Sequence, residues 1–200
     1  MRFGDSKKVK EEYAWVLDYL PYGYPEDNRP VYQKKPTIQA IGENKFMLME
    51  IIPKEDKVPE MHEKLYIGEG EREIVDHVKR QLTYDELTHG AKIELPYVID
   101  EIVQEKESDF IDVYNESYAI TTRLHMLELL PGIGKKTMWS VLDERKKRPF
   151  TDFSDLGERV KGMHHPDKLI VKRIEEELKE EDIKYRIFTI KHSNTPHQHS

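Results

Sequence analysis

The chain has 200 residues, enough for one large domain or two small ones, and 37% hydrophobic residues, with eleven tyrosines and six phenylalanines, exclude a disordered chain despite 36% charge. No apolar run approaches the roughly 20 residues of a membrane span and the N-terminus lacks a signal-peptide centre, so a soluble, cytoplasmic protein is expected; zero cysteines exclude disulfides and thiolate metal sites. The net charge of −7 opposes nucleic-acid binding, yet Gly132–Arg173 holds eleven basic against six acidic residues, which leaves −12 for the rest and marks one region as facing an anion.

In chain order, "EEYAWVLDYL" from Glu11 has strand-like density and "PYGYPEDNRP" is a loop. "PTIQAIGENKFMLMEIIP" reads as a hairpin turning at Gly42-Glu43-Asn44, and further strands are expected at 64–68 and 72–80. Short strands with many turns suggest a small barrel. Thr83 is a helix-cap candidate, and "IELPYVIDEIVQEKESDFIDVYNES" is expected to be helical with Pro96 near its start. "TTRLHMLELL" is read as a helix capped by Thr121 or Thr122, with Leu124, Leu127 and Leu130 on one face, ending at Pro131-Gly132. A basic helix follows from Lys135, a short one comes after Phe150, and a last one opens at His165-Pro166. The stretch 182–190 returns to strand-like alternation and is expected to pair back with the N-terminal sheet.

The connection "LLPGIGKK" carries the most chemistry. Its glycines permit positive φ and leave the backbone uncovered, so the amides of Ile133, Gly134 and Lys135 belong to the unsatisfied first turn of a helix. A phosphate oxygen is their natural acceptor. Ile133 anchors the turn inward, and Lys135 and Lys136 flank the anion without reading bases. A nucleotide P-loop is disfavoured: Leu129 stands where that motif needs glycine, Lys136 separates Lys135 from Thr137, and the preceding segment is helix-like. Pro131-Gly132 taken alone is equally an ordinary helix cap.

The hydrophobic-x-Gly-hydrophobic-Gly pattern at Leu130–Gly134 resembles the helix-hairpin-helix motif of DNA- and RNA-binding proteins. A second copy would fall at Val160–Lys168, where His164 replaces the second glycine; it is either structural or uses His164, His165 and Lys168 on phosphate. "LYIGEGEREI", "TRLHMLELLPGIGKK" and "ERKKRPFTDFSDLGERV" together resemble an uncharacterised archaeal family described as RNA- or nucleotide-binding, over about residues 10–190. That resemblance implies an OB-like barrel followed by a helix-hairpin-helix domain, and together with the elements read above an α+β protein is expected: an OB-like β-barrel with added helices over 1–118, an all-α helix-hairpin-helix domain over 119–181, a strand at 182–190 that returns to the barrel and a flexible tail at 191–200.

The remaining features weigh less. Arg72, in the loop "YIGEGERE", is a candidate phosphate contact or a solvated turn residue. Tyr13, Trp15, Tyr19, Tyr22, Tyr24 and Tyr32 supply candidate stacking platforms. The histidines lack metal-binding spacing, though His192, His197 and His199 in the tail invite adventitious metal, and 175–182 is read as a solvated helix end. No nucleophile or carboxylate pair stands out, so neither catalysis nor a cofactor is expected. The expected function is sequence-independent binding of an RNA or DNA backbone, RNA first on the family description, through Gly132, Ile133, Gly134, Lys135, Lys136 and the cluster Arg145, Lys146, Lys147, Arg148, with Arg72 contributing. The alternative is an adaptor whose acidic half docks a basic ribosomal or polymerase component.

Overall fold

A computed structural model describes residues 10–191, which divide into two units: 10–95 with 177–191, and Pro96–Glu176. Strands β1 (Tyr13–Leu20), β2 (Thr37–Gly42), β3 (Leu48–Pro53), β4 (Lys64–Tyr66) and β5 (Val75–Gln81) build the first unit; the first four fall within the stretches read as strands, and β5 runs one residue past its stretch. They form one antiparallel sheet in the order β4-β1-β2-β3-β5. Register shifts between Val16 and Asp18 and within β3 mark bulges, which bend strands and curl the sheet. No pairing joins the edge strands β4 and β5 among the described residues, so the expected barrel is realised as a curled, open sheet.

One face of this sheet carries the apolar cluster of Ala14, Val16, Ile38, Ala40, Met49 and Ile51. The other carries a row of polar partners across four strands, Asp18, Gln39, Glu50 and Arg80. Gln39 and Glu50 are fully buried, and each is satisfied. Lys79 Nζ and Arg80 Nε donate to the two Glu50 oxygens at 2.6 and 2.8 Å, while the Gln39 amide donates to Glu86 O at 3.0 Å and accepts from Thr88 N at 2.8 Å. The β2–β3 connection is held by Glu11, whose carboxylate accepts from the amides of Asn44 and Lys45 at 2.8 and 2.7 Å. A Cβ at Gly42 would lie 2.3 Å from the Glu11 carboxyl carbon, so a larger residue there would push this carboxylate off the two amides.

Thr83 caps a 3-10 turn at Tyr84–Glu86 through a reciprocal capping box with Glu86. Helix α1 (His89–Glu105) begins behind it, with Thr88 Oγ1 accepting from Ala91 N at 3.0 Å. Pro96 therefore lies inside α1 rather than at its start. The polar run after Glu105 breaks the expected long helix into α2 (Glu107–Phe110) and α3 (Asp112–Asn115). The division between units falls within α1, at Leu95/Pro96.

The second unit continues with α4 (Lys135–Lys147), α5 (Phe153–Arg159) and α6 (Pro166–Lys179), around a core that includes Val98, Ile102, Tyr114, Leu127, Val141 and Ile170. Asp152 caps α5 by accepting from Asp155 N at 2.8 Å, and Pro166 occupies the first position of α6 as expected. The helix expected at 121–130 does not form. Thr121 Oγ1 accepts instead from the amides of Arg123 and Leu124 at 3.2 and 3.0 Å, closing a side-chain turn, and Ala119 bridges His125. Only the single 3-10 turn Met126–Leu129 remains.

The expected strand at 182–190 is also absent. Those residues follow α6 back into the first unit, where three consecutive amides bond to one side chain. Glu177, read as solvated, is fully buried: its carboxylate accepts from the amides of Ile187, Phe188 and Thr189 at 2.7, 3.1 and 2.9 Å and from Thr189 Oγ1 at 3.0 Å. Arg186 donates to the carbonyls of Glu180 and Glu181 at 2.8 and 3.1 Å, at the C-terminus of α6. Three consecutive amides spent on a carboxylate are unavailable to a sheet.

Candidate functional site

The turn before α4 is built from the residues singled out in the sequence. Leu130 and Ile133 are buried at either end of Pro131-Gly132, and Ile133 N donates to Leu130 O at 3.1 Å. Gly132 sits at φ +91°, in the region that favours glycine. Gly134 caps α4 and offers no side chain to the first-turn amides. The first bond back into the turn is Met138 N to Gly134 O at 2.9 Å, so the amides of residues 134–137 lack an intrahelical acceptor. They open toward the positive end of a 13-residue helix.

The same turn recurs between α5 and α6. Val160 and Met163 are buried, Met163 N donates to Val160 O at 3.0 Å, and Gly162 has φ +85°. The two turns thus match in burial, hydrogen bond and glycine conformation, which the weak sequence match did not show. They differ at the entry to the next helix: His165 at φ +56° inserts one residue before α6, and Pro166 removes an amide from its first turn. Lys168 is engaged with Asp100 at 2.6 Å. The second turn thus has one fewer open amide and a tied lysine.

The expected cationic residues separate into tied and untied. Lys135 Nζ donates to Glu128 Oε2 at 2.8 Å and Arg123 O at 2.9 Å, stitching the 3-10 turn to the start of α4. Its hydrogen bond, with that of the His125 amide, holds the Glu128 carboxyl below the usual glutamate range. Lys136 is exposed and makes no ion pair with another described residue. Arg145 does not join an outward cluster. Its guanidinium donates to Tyr114 O, Ser117 Oγ and Ser117 O at 2.9, 2.9 and 2.8 Å, and burial lowers its pKa.

Lys146 and Lys147 pair with Asp143 and Glu144 at 3.2 and 2.6 Å along α4, both in exposed geometry. Arg148 meets Asp155 at 2.7 Å, as does Arg159 at 2.9 Å; burial would lift the Asp155 carboxyl, but these two arginines outweigh it and lower its pKa. Arg72 secures its own loop, donating from Nε to Gly68 O at 2.8 Å and from Nη1 to Asp76 O at 3.3 Å. Among the aromatic candidates, Trp15 is buried and Tyr24 receives a hydrogen bond from Gln39 at 3.1 Å, whereas Tyr22 and Tyr32 stand exposed. Trp139 on α4, which sequence reasoning passed over, is also exposed. No group of three or more histidines, cysteines or carboxylates suited to a metal occurs among the described residues, and His192, His197 and His199 lie outside them.

His125 closes the base of the turn. Its Nδ1 accepts from Leu127 N at 3.2 Å while its own amide donates to Glu128 Oε2 at 2.8 Å. A capping nitrogen must be unprotonated, and burial followed by the Arg145 charge lowers the imidazole pKa below 6.5. Protons therefore favour the unfolded chain. The contribution is complete above 6.5 and is lost as pH falls from there through the lowered folded value. We expect urea stability to decline over that window more steeply in the natural protein than in a His125→Asn variant, which keeps an acceptor but does not titrate; parallel curves would refute it.

The family model for "Protein of unknown function (DUF655)" matches residues 10–190. The chain belongs to the DUF655 family. It is 47% identical over 191 residues to the uncharacterized protein MJ0038 of Methanocaldococcus jannaschii, covering 94% of this chain and 85% of that one. The crystal structure of Af1531 from Archaeoglobus fulgidus, also of DUF655, aligns with a TM-score of 0.85 and 49% identity over 90% of this chain and all of that one. DUF655 is thus a family with archaeal members, and its mixed α+β fold is shared with a solved structure. No helix among the described residues of this DUF655 chain is long and apolar enough to cross a membrane.

Proposed function

We propose that this protein binds nucleic acid through the backbone, with the turn Gly132–Lys136 as a helix-hairpin-helix-type phosphate receptor. The carrying observation is Gly134. Its backbone, at φ −91° and ψ −179°, is extended and open to any residue, and a Cβ there would meet nothing within 4 Å. Neither conformation nor internal packing calls for a glycine, and glycine costs folding entropy. A ligand approaching the bare amides of the α4 first turn supplies the reason.

Lys136 adds an untied cation beside those amides. The repeated turn at Gly162 supports the motif reading, although the first member of the pair at Gly132 is a 3-10 turn in place of a full helix. RNA is proposed ahead of DNA on the family resemblance. No described constellation assigns a reaction, so binding is the proposed activity.

Affinity for matched RNA and DNA oligonucleotides, measured against salt, tests this. Lys136→Ala is expected to make the log-log slope shallower by about 0.7–0.9, one phosphate contact's worth. Gly134→Val is expected to leave the fold intact and lower affinity for all sequences about tenfold or more, the loss of charge-assisted bonds to one phosphate. Binding to neither polymer at about 50 mM salt, where backbone contacts are strong, would favour the adaptor reading instead. Unchanged binding by Gly134→Val would remove the hairpin from the site.

A further inference from the structure

Trp139 takes no part in the core of its unit. It is 56% exposed, whereas Met138 and Val141 on the same helix are 4% and 0% exposed and form its inward side. Lys135 and Lys136 precede it by four and three residues, so helical spacing places all three on one side of α4. The indole lies one turn, about 6 Å along the axis, from the helix start. Asp143, four residues further on, is paired with Lys146 at 3.2 Å. From the open amides of the turn, this surface therefore runs through an unpaired cation to an indole that is more than half exposed.

Resting on the nucleic-acid reading, we propose that Trp139 is a stacking platform for an unpaired base next to the phosphate held at the hairpin. The ligand of this unit is then a single strand, or a duplex interrupted by unpaired nucleotides. An indole offers a flat π face to any base, and its contact is indifferent to sequence. A base inside an intact duplex has both faces covered by its neighbours and cannot use it. Charge complementarity points the same way: Lys136 suits a polyanion and no exposed unpaired carboxylate lies between it and Trp139 in the helix.

The two tryptophans make the test direct, since Trp15 is 8% exposed and Trp139 is the accessible one. The full chain is titrated with a single-stranded oligonucleotide, the same strand annealed to its complement, and the same strand with abasic sites. The intact single strand is expected to quench tryptophan emission, and the quench should vanish in Trp139→Phe, which retains Trp15. Trp139→Ala should weaken single-strand binding about tenfold and leave duplex and abasic binding unchanged. Lys136→Ala should weaken all three. Unaltered single-strand affinity in Trp139→Ala, or equal quenching by duplex, overturns the stacking role; if Lys136→Ala still weakens binding, the hairpin reading survives that result. Absence of binding by any of the three oligonucleotides overturns both.

Discussion

Arg145→Ala is expected to destabilise the unit Pro96–Glu176 by about 3 kcal/mol, the scale for stranding several buried acceptors. The guanidinium serves Tyr114 O, Ser117 Oγ and Ser117 O, and Tyr114 and Ser117 are 0% and 2% exposed, so water cannot replace the lost donors. The neighbouring changes Lys146→Ala and Lys147→Ala break only exposed pairs within one helix and should cost a few tenths of a kcal/mol. Urea unfolding of the three variants separates them. If Arg145→Ala were as stable as the other two while steepness of the salt dependence fell, Arg145 would belong to the ligand and not to the fold.

Glu177→Ala is expected to release the segment after α6. Removing the carboxylate leaves the amides of Ile187, Phe188 and Thr189 and the Thr189 hydroxyl without their acceptor, and Phe188 and Thr189 are themselves buried. At about 1–3 kcal/mol for each buried group stranded, the closed arrangement loses several kcal/mol and opens locally. Hydrogen exchange should show these three amides losing protection while β2 and β3 retain theirs. Glu177→Gln keeps an oxygen acceptor and should fall between the two. Retained protection in Glu177→Ala would mean that another group holds the segment.

Arg145 and Glu177 are both charged residues in charged runs, "DERKKR" and "EEELKEED", and composition assigns such runs to solvent. What buries Arg145 is the carbonyl end of α3, about thirty residues upstream; what buries Glu177 is a segment ten residues downstream that has abandoned sheet pairing. The segment 121–130 departs from its expected helix for a related reason. Leucine spacing suits a helix, but Thr121 and His125 spend their side chains on nearby amides and fold the backbone into turns first. The turn at Pro131–Gly134 is legible because its requirements are local: a buried residue on each side, a positive φ at Gly132 and a helix starting at Lys135. Its duplicate at Gly162 is obscured by His164 and His165, although the backbone repeats.

The five strands, helices α4 to α6, the turn at Gly42, Pro166 at a helix start and the exposed amides before α4 arise from periodicity, capping chemistry and glycine's freedom, which act within a few residues and are written in the sequence. The open curl of the sheet, the buried Gln39–Glu50 row, the separation of Lys136 from the tied cations and the exposure of Trp139 depend on which distant groups meet. A charge or an aromatic ring carries the same letter whether it is paired, buried or bare. Its partners are set by the tertiary structure, because desolvating a polar group is tolerated only where the fold supplies a hydrogen bond in return.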